Sequence, residues 1–217
     1  MIKACIFDLD GTLTNTLPTI SYYGNAALAK NGFAPFDEER YKYFIGNGAK
    51  TLVERMLTAG GNMSEENLAR VFGDYNSAYN EAPLYQTAVY DGILPLLHAI
   101  KERGVLTAVL SNKPDFATRS VVEHFFPSLF SVAHGGREGV PLKPAPEGAL
   151  LLMHELGVKN PADVLYVGDT SVDMDTGKAA GFFTVGVLWG FRTEDELRAH
   201  KADAIVSRPN EILQYIK

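Results

Sequence analysis

KACIFDLDGTL, residues 3–13, is the stretch of sequence that decides the fold. Residues 3–9 form an apolar run that ends at Asp10-Gly11, which is typical of a buried strand followed by a turn. Four later runs have the same character: 105–111, 131–134, 164–168 and 183–188. Helical patterns lie between them at 92–103, 115–126, 146–156 and 172–180. Strands that alternate with helices predict an α/β fold with a parallel sheet covered on both faces.

Residues 17–88 interrupt this alternation with a block that is helical in pattern throughout. Its predicted helices are 18–31, 37–44, 49–58 and 64–81, separated by glycine-containing turns. We therefore predict an α/β core domain, formed by 1–16 and 89–217, with residues 17–88 inserted as a helical cap domain over the carboxyl edge of the sheet. The closing segment 193–217 predicts a helix, a short strand at 204–206 and a final helix.

Composition and charge exclude several classes of protein. The chain has 217 residues, of which 46% are hydrophobic and 21% charged, as in ordinary globular proteins. Its net charge of −6 gives no basic face for a nucleic-acid partner. No run approaches the roughly 18 apolar residues of a membrane span, and residues 1–9 are too short for a signal peptide. The single cysteine, Cys5, excludes an internal disulfide, so we expect a cytoplasmic protein.

Two carboxylates end the first predicted strand. Asp8 and Asp10 lie two residues apart and therefore point to the same face of the strand. Like charges about 4 Å apart repel by about 4 kcal/mol at an effective dielectric constant near 20, unless a cation or a shared proton relieves them. A pair of solvated acids at a strand end is the alternative interpretation.

A second carboxylate pair follows the predicted strand at 164–168. Asp169 and Asp173 lie four residues apart across a helix start, so both can face one point, although aspartates also cap helices there. Because parallel strands end at the same sheet edge, the four carboxylates should converge. Oxygen ligands of this kind, together with a substrate phosphate, favour Mg²⁺.

Two further polar groups follow strands or precede helices at this edge. Ser111 ends the second core strand, where a hydroxyl can bond a phosphate oxygen, and Asn112 follows it. Lys143 lies before Pro144 and Pro146, which fix the direction of an ammonium suited to a phosphate. An ordinary turn and a surface lysine are the alternatives. The five histidines show no metal-ligand spacing, and no dinucleotide-binding or Walker A motif is present.

These motifs, in this order, resemble the haloacid dehalogenase superfamily of phosphohydrolases: D-L-D-G-T-L at 8–13, Ser111, Lys143 and G-D-T-S-V-D at 168–173. The resemblance covers the whole chain and implies a Rossmann-like core with a C1-type helical cap. S-N-K-P at 111–114 and K-P-A-P at 143–146 are similar to the phosphoglycolate phosphatase branch. Asn15-Thr16 stands where many relatives have Asp-Ser, a departure that concerns the hinge into the cap.

The resemblance implies a role for each of these residues. Asp8 would be the nucleophile that forms an aspartyl phosphate, and Asp10 the general acid and then base, in an environment that raises its pKa. Mg²⁺ would bind Asp8, the main-chain carbonyl of Asp10 and Asp169, with Asp173 in or beside the first shell. Ser111 and Lys143 would hold the phosphate, as would main-chain amides near Gly11, Thr12 and Asn112.

Substrate choice is expected from the cap. The turn Gly46-Asn47-Gly48 precedes a helix that begins near Ala49, whose N-terminal amides could bind a small carboxylate. Lys50 or Arg55 could add positive charge. An ordinary loop with solvated basic residues is the alternative interpretation.

We therefore predict a Mg²⁺-dependent phosphatase for a small phosphorylated metabolite, with 2-phosphoglycolate the best single substrate, acting as a monomer or homodimer. Asp10 argues against the relatives that cleave carbon–halogen bonds, which lack an acid at that position. A phosphomutase of the β-phosphoglucomutase type, a pyrophosphatase and a nucleotidase stay open. A phospho-receiver domain or a catalytically dead binding relative is the non-enzyme alternative, but a receiver has no helical insertion.

Overall fold

The computed structural model describes residues 1–216, and within them a six-stranded parallel sheet forms the core. The strands are β1 (Ala4–Phe7), β2 (Thr14–Asn15), β3 (Ala88–Val89), β4 (Leu106–Pro114), β5 (Val132–Gly136), β6 (Val164–Gly168), β7 (Phe183–Val187) and β8 (Ala204–Val206). Their order in the sheet is β5-β4-β1-β6-β7-β8, while β2 and β3 form a separate antiparallel pair. The predicted α/β fold with a parallel sheet is confirmed.

Helices connect the strands of the sheet. They are α5 (Ile93–Glu102), α6 (Asp115–Phe125), α7 (Glu147–Glu155), α8 (Ser171–Ala179) and α9 (Glu194–Ala199), with 3₁₀ turns at Pro161–Asp163 and Pro209–Tyr215. The central strand β1 is completely buried, and Ala4 and Ile6 pack with Leu152 of α7 on one face. Burial on both faces explains why these strands are continuously apolar instead of alternating.

Two features of the core differ from the sequence prediction. β4 continues three residues beyond Ser111, with an irregular register against β5 between Leu110 and Pro114, so residues 112–114 belong to the strand. The β2–β3 pair was not predicted, because strands of two residues are too short to show an alternating pattern. The helix, strand and helix predicted for 193–217 are present, and the final helix, Pro209–Tyr215, is a 3₁₀ helix.

The chain divides into two compact units, of which the second is Thr16–Thr87 and the first is Met1–Asn15 with the chain from Ala88 onward. The second unit contains α1 (Leu17–Lys30), α2 (Glu38–Phe44), α3 (Ala49–Ala59) and α4 (Glu65–Glu81). Asp37 and Ser64 cap α2 and α4 by accepting main-chain hydrogen bonds. Aromatic side chains pack inside this unit: the rings of Tyr23 and Tyr79 meet at 5.5 Å.

Cys5 lies in β1 and is buried, which raises the pKa of its thiol. A buried thiol of this kind is an inert packing group. Among residues 1–216, no helix combines the length and the apolar character that crossing a bilayer requires.

Candidate active site

Sheet register places three of the predicted residues at one edge. Phe7, the last residue of β1, pairs with Val109 of β4 on one side and with Val167 of β6 on the other. Asp8 follows Phe7, and its main-chain N–H donates to the carbonyl of Val167 at 2.9 Å. Asp8 and Asp169 therefore lie close together at the carboxyl ends of adjacent strands, where ligands bind in open α/β sheets, and Ser111 lies two residues beyond Val109 on the neighbouring strand.

Three carboxylates converge at this edge. Asp8, Asp169 and Asp173 each present an oxygen, and these oxygens lie within 4.8 Å of one another. All three residues are buried. Burial and the charge of Asp173 raise the pKa of Asp8 well above its ordinary value, and the same two causes raise the pKa of Asp169 to about 7. A cation at this point would relieve the repulsion.

Lys143 supplies positive charge to the same cluster. Its Nζ lies 2.8 Å from Oδ1 of Asp8 and 2.7 Å from Oδ1 of Asp173. Although burial opposes the charged form, the carboxylates of Asp173 and Asp8 hold the pKa of Lys143 well above its ordinary value. Oδ1 of Asp8 is buried and, apart from this ion pair, makes no hydrogen bond among the described residues.

The cluster fits a hard divalent cation. Its donors are carboxylate oxygens, which Mg²⁺ and Ca²⁺ prefer. Asp8 offers the oxygen that makes no hydrogen bond among residues 1–216. Both carboxylate oxygens of Asp173 already accept hydrogen bonds. Lys143 donates to its Oδ1, and Thr170 donates to its Oδ2 from the main-chain N–H at 3.1 Å and from the hydroxyl at 2.7 Å.

Asn112 fixes the main chain at Lys143. Its side-chain amide donates to the Lys143 carbonyl at 2.9 Å and accepts from the Lys143 N–H at 2.8 Å. This side chain therefore ties the end of β4 to a loop 31 residues further along the chain. Ser111 is buried beside it, and its hydroxyl accepts the N–H of Lys113 at 3.2 Å.

The turn after Asp10 is closed by its own hydrogen bonds. Gly11 has φ +88° and donates to the Thr14 carbonyl at 2.8 Å, and the N–H of Thr12 donates to Leu9 at 3.3 Å. We expected amides near Gly11 and Thr12 to bind phosphate, but these two have partners with which a phosphate would compete. The Thr12 hydroxyl instead donates to Oδ1 of Asp169 at 3.0 Å.

The segment after β7 also contacts Asp169, and no motif in the sequence indicated it. The Phe191 N–H donates to Oδ2 of Asp169 at 2.8 Å, and Trp189 Nε1 donates to the Thr12 carbonyl at 2.9 Å. Gly190 lies so close that any β-carbon there would overlap the Asp169 side chain. Main-chain atoms of Gly190 and Phe191 therefore pack closely against the Asp169 side chain.

Lys113, like the segment after β7, had no role assigned from the sequence motifs. Its Nζ lies 2.7 and 2.8 Å from the two carboxylate oxygens of Asp10. The lysine side chain is 4% exposed and that of Asp10 is 12% exposed. Each of these contacts is a charge-assisted hydrogen bond between an ammonium and a carboxylate, and the acid–base role of Asp10 stays a prediction.

The turn Gly46-Asn47-Gly48 belongs to the second unit, where α3 begins at Ala49 as predicted. The Arg55 guanidinium donates to the Phe44 carbonyl at 3.0 Å and to Oδ1 of Asn47 at 2.7 Å. Arg55 thus donates to the last carbonyl of α2 and to the side chain of Asn47, so its guanidinium bonds to groups of the second unit. Lys50 is exposed.

Comparison with known proteins agrees with this geometry. The model of the haloacid dehalogenase-like hydrolase family matches residues 5–187. The chain belongs to this family, among its phosphatases. Phosphatases of this family generally use a divalent metal, and the buried aspartates of this chain could bind such a metal.

Individual relatives cover nearly the whole chain. Phosphoglycolate phosphatase of Haemophilus influenzae is 34% identical, over 91% of this chain and 90% of its own length. N-acetylmuramic acid 6-phosphate phosphatase of Pseudomonas aeruginosa is 30% identical, over 99% of this chain and 95% of its own. The crystal structure of a predicted phosphoglycolate phosphatase from Haemophilus somnus superposes with a TM-score of 0.92 at 28% identity, covering 100% of this chain and 98% of the other.

Proposed function

We propose that this hydrolase removes phosphate from 2-phosphoglycolate in a Mg²⁺-dependent reaction, with Asp8 as the nucleophile. The observation that carries the proposal is the surroundings of Asp8, a buried carboxylate whose Oδ1 makes no hydrogen bond within residues 1–216 and lies against Lys143 and Asp169. Relatives with 34% and 36% identity are named phosphoglycolate phosphatase, which supports the choice of substrate.

Asp8, Asp169 and the main-chain carbonyl of Asp10 would hold the Mg²⁺, and Asp173 would lie beside it. When bound, a divalent cation neutralises charge that develops on the phosphoryl group and orients that group. Charge balance supports this assignment: the three carboxylates of the cluster against the one ammonium of Lys143 leave a formal charge of −2. A divalent ion would bring that sum to zero.

In the first step, a carboxylate oxygen of Asp8 attacks phosphorus and the bond from phosphorus to the ester oxygen breaks. Asp10 donates a proton to that oxygen, so the alcohol leaves neutral. Lys143, which contacts Asp8, and Ser111 on the neighbouring strand would bind the phosphoryl oxygens, which is the positioning that phosphoryl transfer depends on.

In the second step, Asp10 removes a proton from water as its oxygen attacks the phosphorus of the aspartyl phosphate. The bond between phosphorus and Asp8 breaks, inorganic phosphate leaves, and the Asp8 carboxylate is restored. The two steps need opposite protonation states of Asp10, which the first step itself creates, because the proton given to the alcohol leaves Asp10 as a base.

Phosphate release from a panel of esters tests this proposal. The panel contains 2-phosphoglycolate, N-acetylmuramic acid 6-phosphate, glucose 1-phosphate, a nucleoside monophosphate and pyrophosphate, each with EDTA and then with Mg²⁺ or Ca²⁺. We expect phosphoglycolate to give the highest kcat/KM, in a reaction that depends on Mg²⁺. A higher kcat/KM on another ester would replace the substrate, and conversion of glucose 1-phosphate to glucose 6-phosphate would replace hydrolysis by mutase chemistry.

A further inference from the structure

Lys113 occupies a position that the proposed reaction does not use. It is a buried lysine at the end of β4, and its ammonium contacts both oxygens of Asp10. Lys143 already supplies positive charge to Asp8 and Asp173. The site therefore contains two ammonium groups. Lys143 contacts the proposed nucleophile, Asp8, and Lys113 contacts Asp10, which is assigned to protonate the leaving oxygen.

We propose that Lys113 is the residue that determines substrate specificity, by binding a carboxylate on the carbon next to the ester oxygen. This inference rests on the proposed function, because it places the leaving oxygen beside Asp10. In 2-phosphoglycolate a single methylene carbon separates that oxygen from the carboxylate. An ammonium in contact with Asp10 therefore lies near the position that the carboxylate of this substrate must occupy.

The chemistry of lysine suits this task. An ammonium is a compact charge on a flexible stem with three donors, so it can turn from one carboxylate toward another. Both side chains of the pair with Asp10 are largely shielded from water, and a charge-assisted hydrogen bond is stronger there than at the surface. A substrate without the carboxylate would leave Lys113 on Asp10.

The other basic candidates are less suited to the same carboxylate. Arg55 donates to the Phe44 carbonyl and to Asn47, so its guanidinium serves the second unit's own structure. Lys50 is exposed, and an exposed lysine discriminates weakly between charged and neutral ligands. In the core, Lys143 faces the nucleophile and the metal-binding carboxylates.

The proposal also distinguishes between acids. In N-acetylmuramic acid 6-phosphate, the ester oxygen and the carboxylate belong to distant parts of the sugar. That carboxylate cannot reach an ammonium beside the leaving oxygen, so Lys113 should not favour this ester over glucose 6-phosphate.

The test compares two esters in one pair of proteins. For the wild type and for Lys113→Met, the kcat/KM measured with 2-phosphoglycolate is divided by the value for ethyl phosphate, which lacks the carboxylate. Both esters are expected to react more slowly in the variant, since Asp10 loses the Lys113 ammonium. We expect the ratio to fall as well, by about 10- to 100-fold, which is the value of one charge-assisted hydrogen bond, and mainly through KM.

A direct binding measurement accompanies the kinetics. In the Asp8→Asn background, which prevents turnover, calorimetry with Mg²⁺ should show that Lys113→Met weakens the binding of phosphoglycolate by about 10-fold or more but that of inorganic phosphate by much less. Lys113→Arg should recover part of the ratio because it retains the charge. Lys101→Met, a surface lysine of the same unit that contacts the Ser128 carbonyl, serves as the matched control.

Three results would overturn the proposed role of Lys113 in substrate specificity. A ratio that stays within about twofold while both esters slow down would show that Lys113 only positions Asp10, and would overturn the proposal. Unchanged kinetics on both esters would overturn it as well. A wild type that hydrolyses other esters but does not prefer 2-phosphoglycolate to ethyl phosphate overturns the proposed substrate together with Lys113, before any variant is made.

Discussion

The two buried lysines of the site are arranged differently. Lys143 contacts carboxylates from two elements, Asp8 after β1 and Asp173 on α8, and Asn112 fixes its main chain. Lys113 contacts both oxygens of one carboxylate, that of Asp10. The first ammonium therefore joins carboxylates from two elements of the core, whereas the second contacts a residue whose charge changes during the proposed reaction. On these proposals Lys143 would stabilise the folded core and bind the phosphoryl group, and Lys113 would select the substrate.

The largest effect is expected at the nucleophile that Lys143 faces. Asp8→Asn should reduce the turnover of phosphoglycolate by about 10⁴-fold or more, because an amide cannot form the aspartyl phosphate. Phosphate release measures the loss, and the thermal midpoint shows whether the variant folds. Substantial activity in a folded Asp8→Asn protein would remove Asp8 from the nucleophile position, and with it the contrast between the two lysines.

Replacement of each lysine by methionine should lower the free energy of unfolding by different amounts. Lys143→Met leaves buried carboxylates without their cation and should lower the free energy of unfolding by about 3–5 kcal/mol in urea titrations. Lys113→Met should cost about 1–3 kcal/mol, because one carboxylate, that of Asp10, loses an ammonium, whereas Lys143→Met affects both Asp8 and the fully buried Asp173.

Both titrations are made at the same pH and without added metal, with Lys101→Met as the surface control. Equal losses for the two variants would contradict the division between a structural and a selective lysine.

The aspartates around Lys143 predict how stability depends on pH when metal is absent. The pKa of Asp169 is raised to about 7, so the folded protein retains a proton that the unfolded chain releases near 3.8. The free energy of unfolding should therefore fall as pH rises from about 4 to 7, and Asp8 shifts it in the same direction. Urea midpoints across this range measure the slope.

Mg²⁺ should counteract that loss, since it binds the folded protein. Asp169→Asn provides the control: it should flatten the slope and remove most of the Mg²⁺ stabilisation, and it should raise the Mg²⁺ concentration needed for activity. A variant that Mg²⁺ stabilises as much as the wild type would exclude Asp169 as a metal ligand.

The smallest effect is expected in the second unit. Asn47→Ala and Lys50→Ala should each raise the KM for phosphoglycolate by less than about fivefold, as exposed or already partnered groups contribute little. Steady-state kinetics on acidic and neutral esters measure this. No change on any acidic substrate would remove the turn Gly46-Asn47-Gly48 from the substrate site, while a loss above about 100-fold would move recognition from Lys113 to the insertion.

The fold and the carboxylate cluster could be predicted because local patterns determine them. A buried parallel strand must be apolar until it reaches the edge, so the first acids after β1 and β6 mark that edge. Asp8 and Asp169 stand at those two positions, and the register through Phe7 brings them together. Asp173 follows from the periodicity of a helix that begins beside Asp169.

The partners of these residues could not be predicted, since they depend on contacts between distant segments. The contact of Lys113 with Asp10 joins residues 103 positions apart and requires that β4 continue beyond Ser111. Asn112 pairs with Lys143 across 31 positions, and Phe191 reaches Asp169 from a segment without a motif. No periodicity or spacing in the sequence reports such pairings.

The short β2–β3 pair brings the two ends of the inserted segment together. Asn15 and Ala88 are partners in that pair, so the chain leaves the core unit and returns to it at adjacent points. A segment bounded in this way can be exchanged or removed without altering the path of the remaining backbone. A hairpin turn of two residues between Asn15 and Ala88 would close the core as a continuous polypeptide. The insertion is thus bounded as an interchangeable module, while the six-stranded sheet preserves its own connectivity.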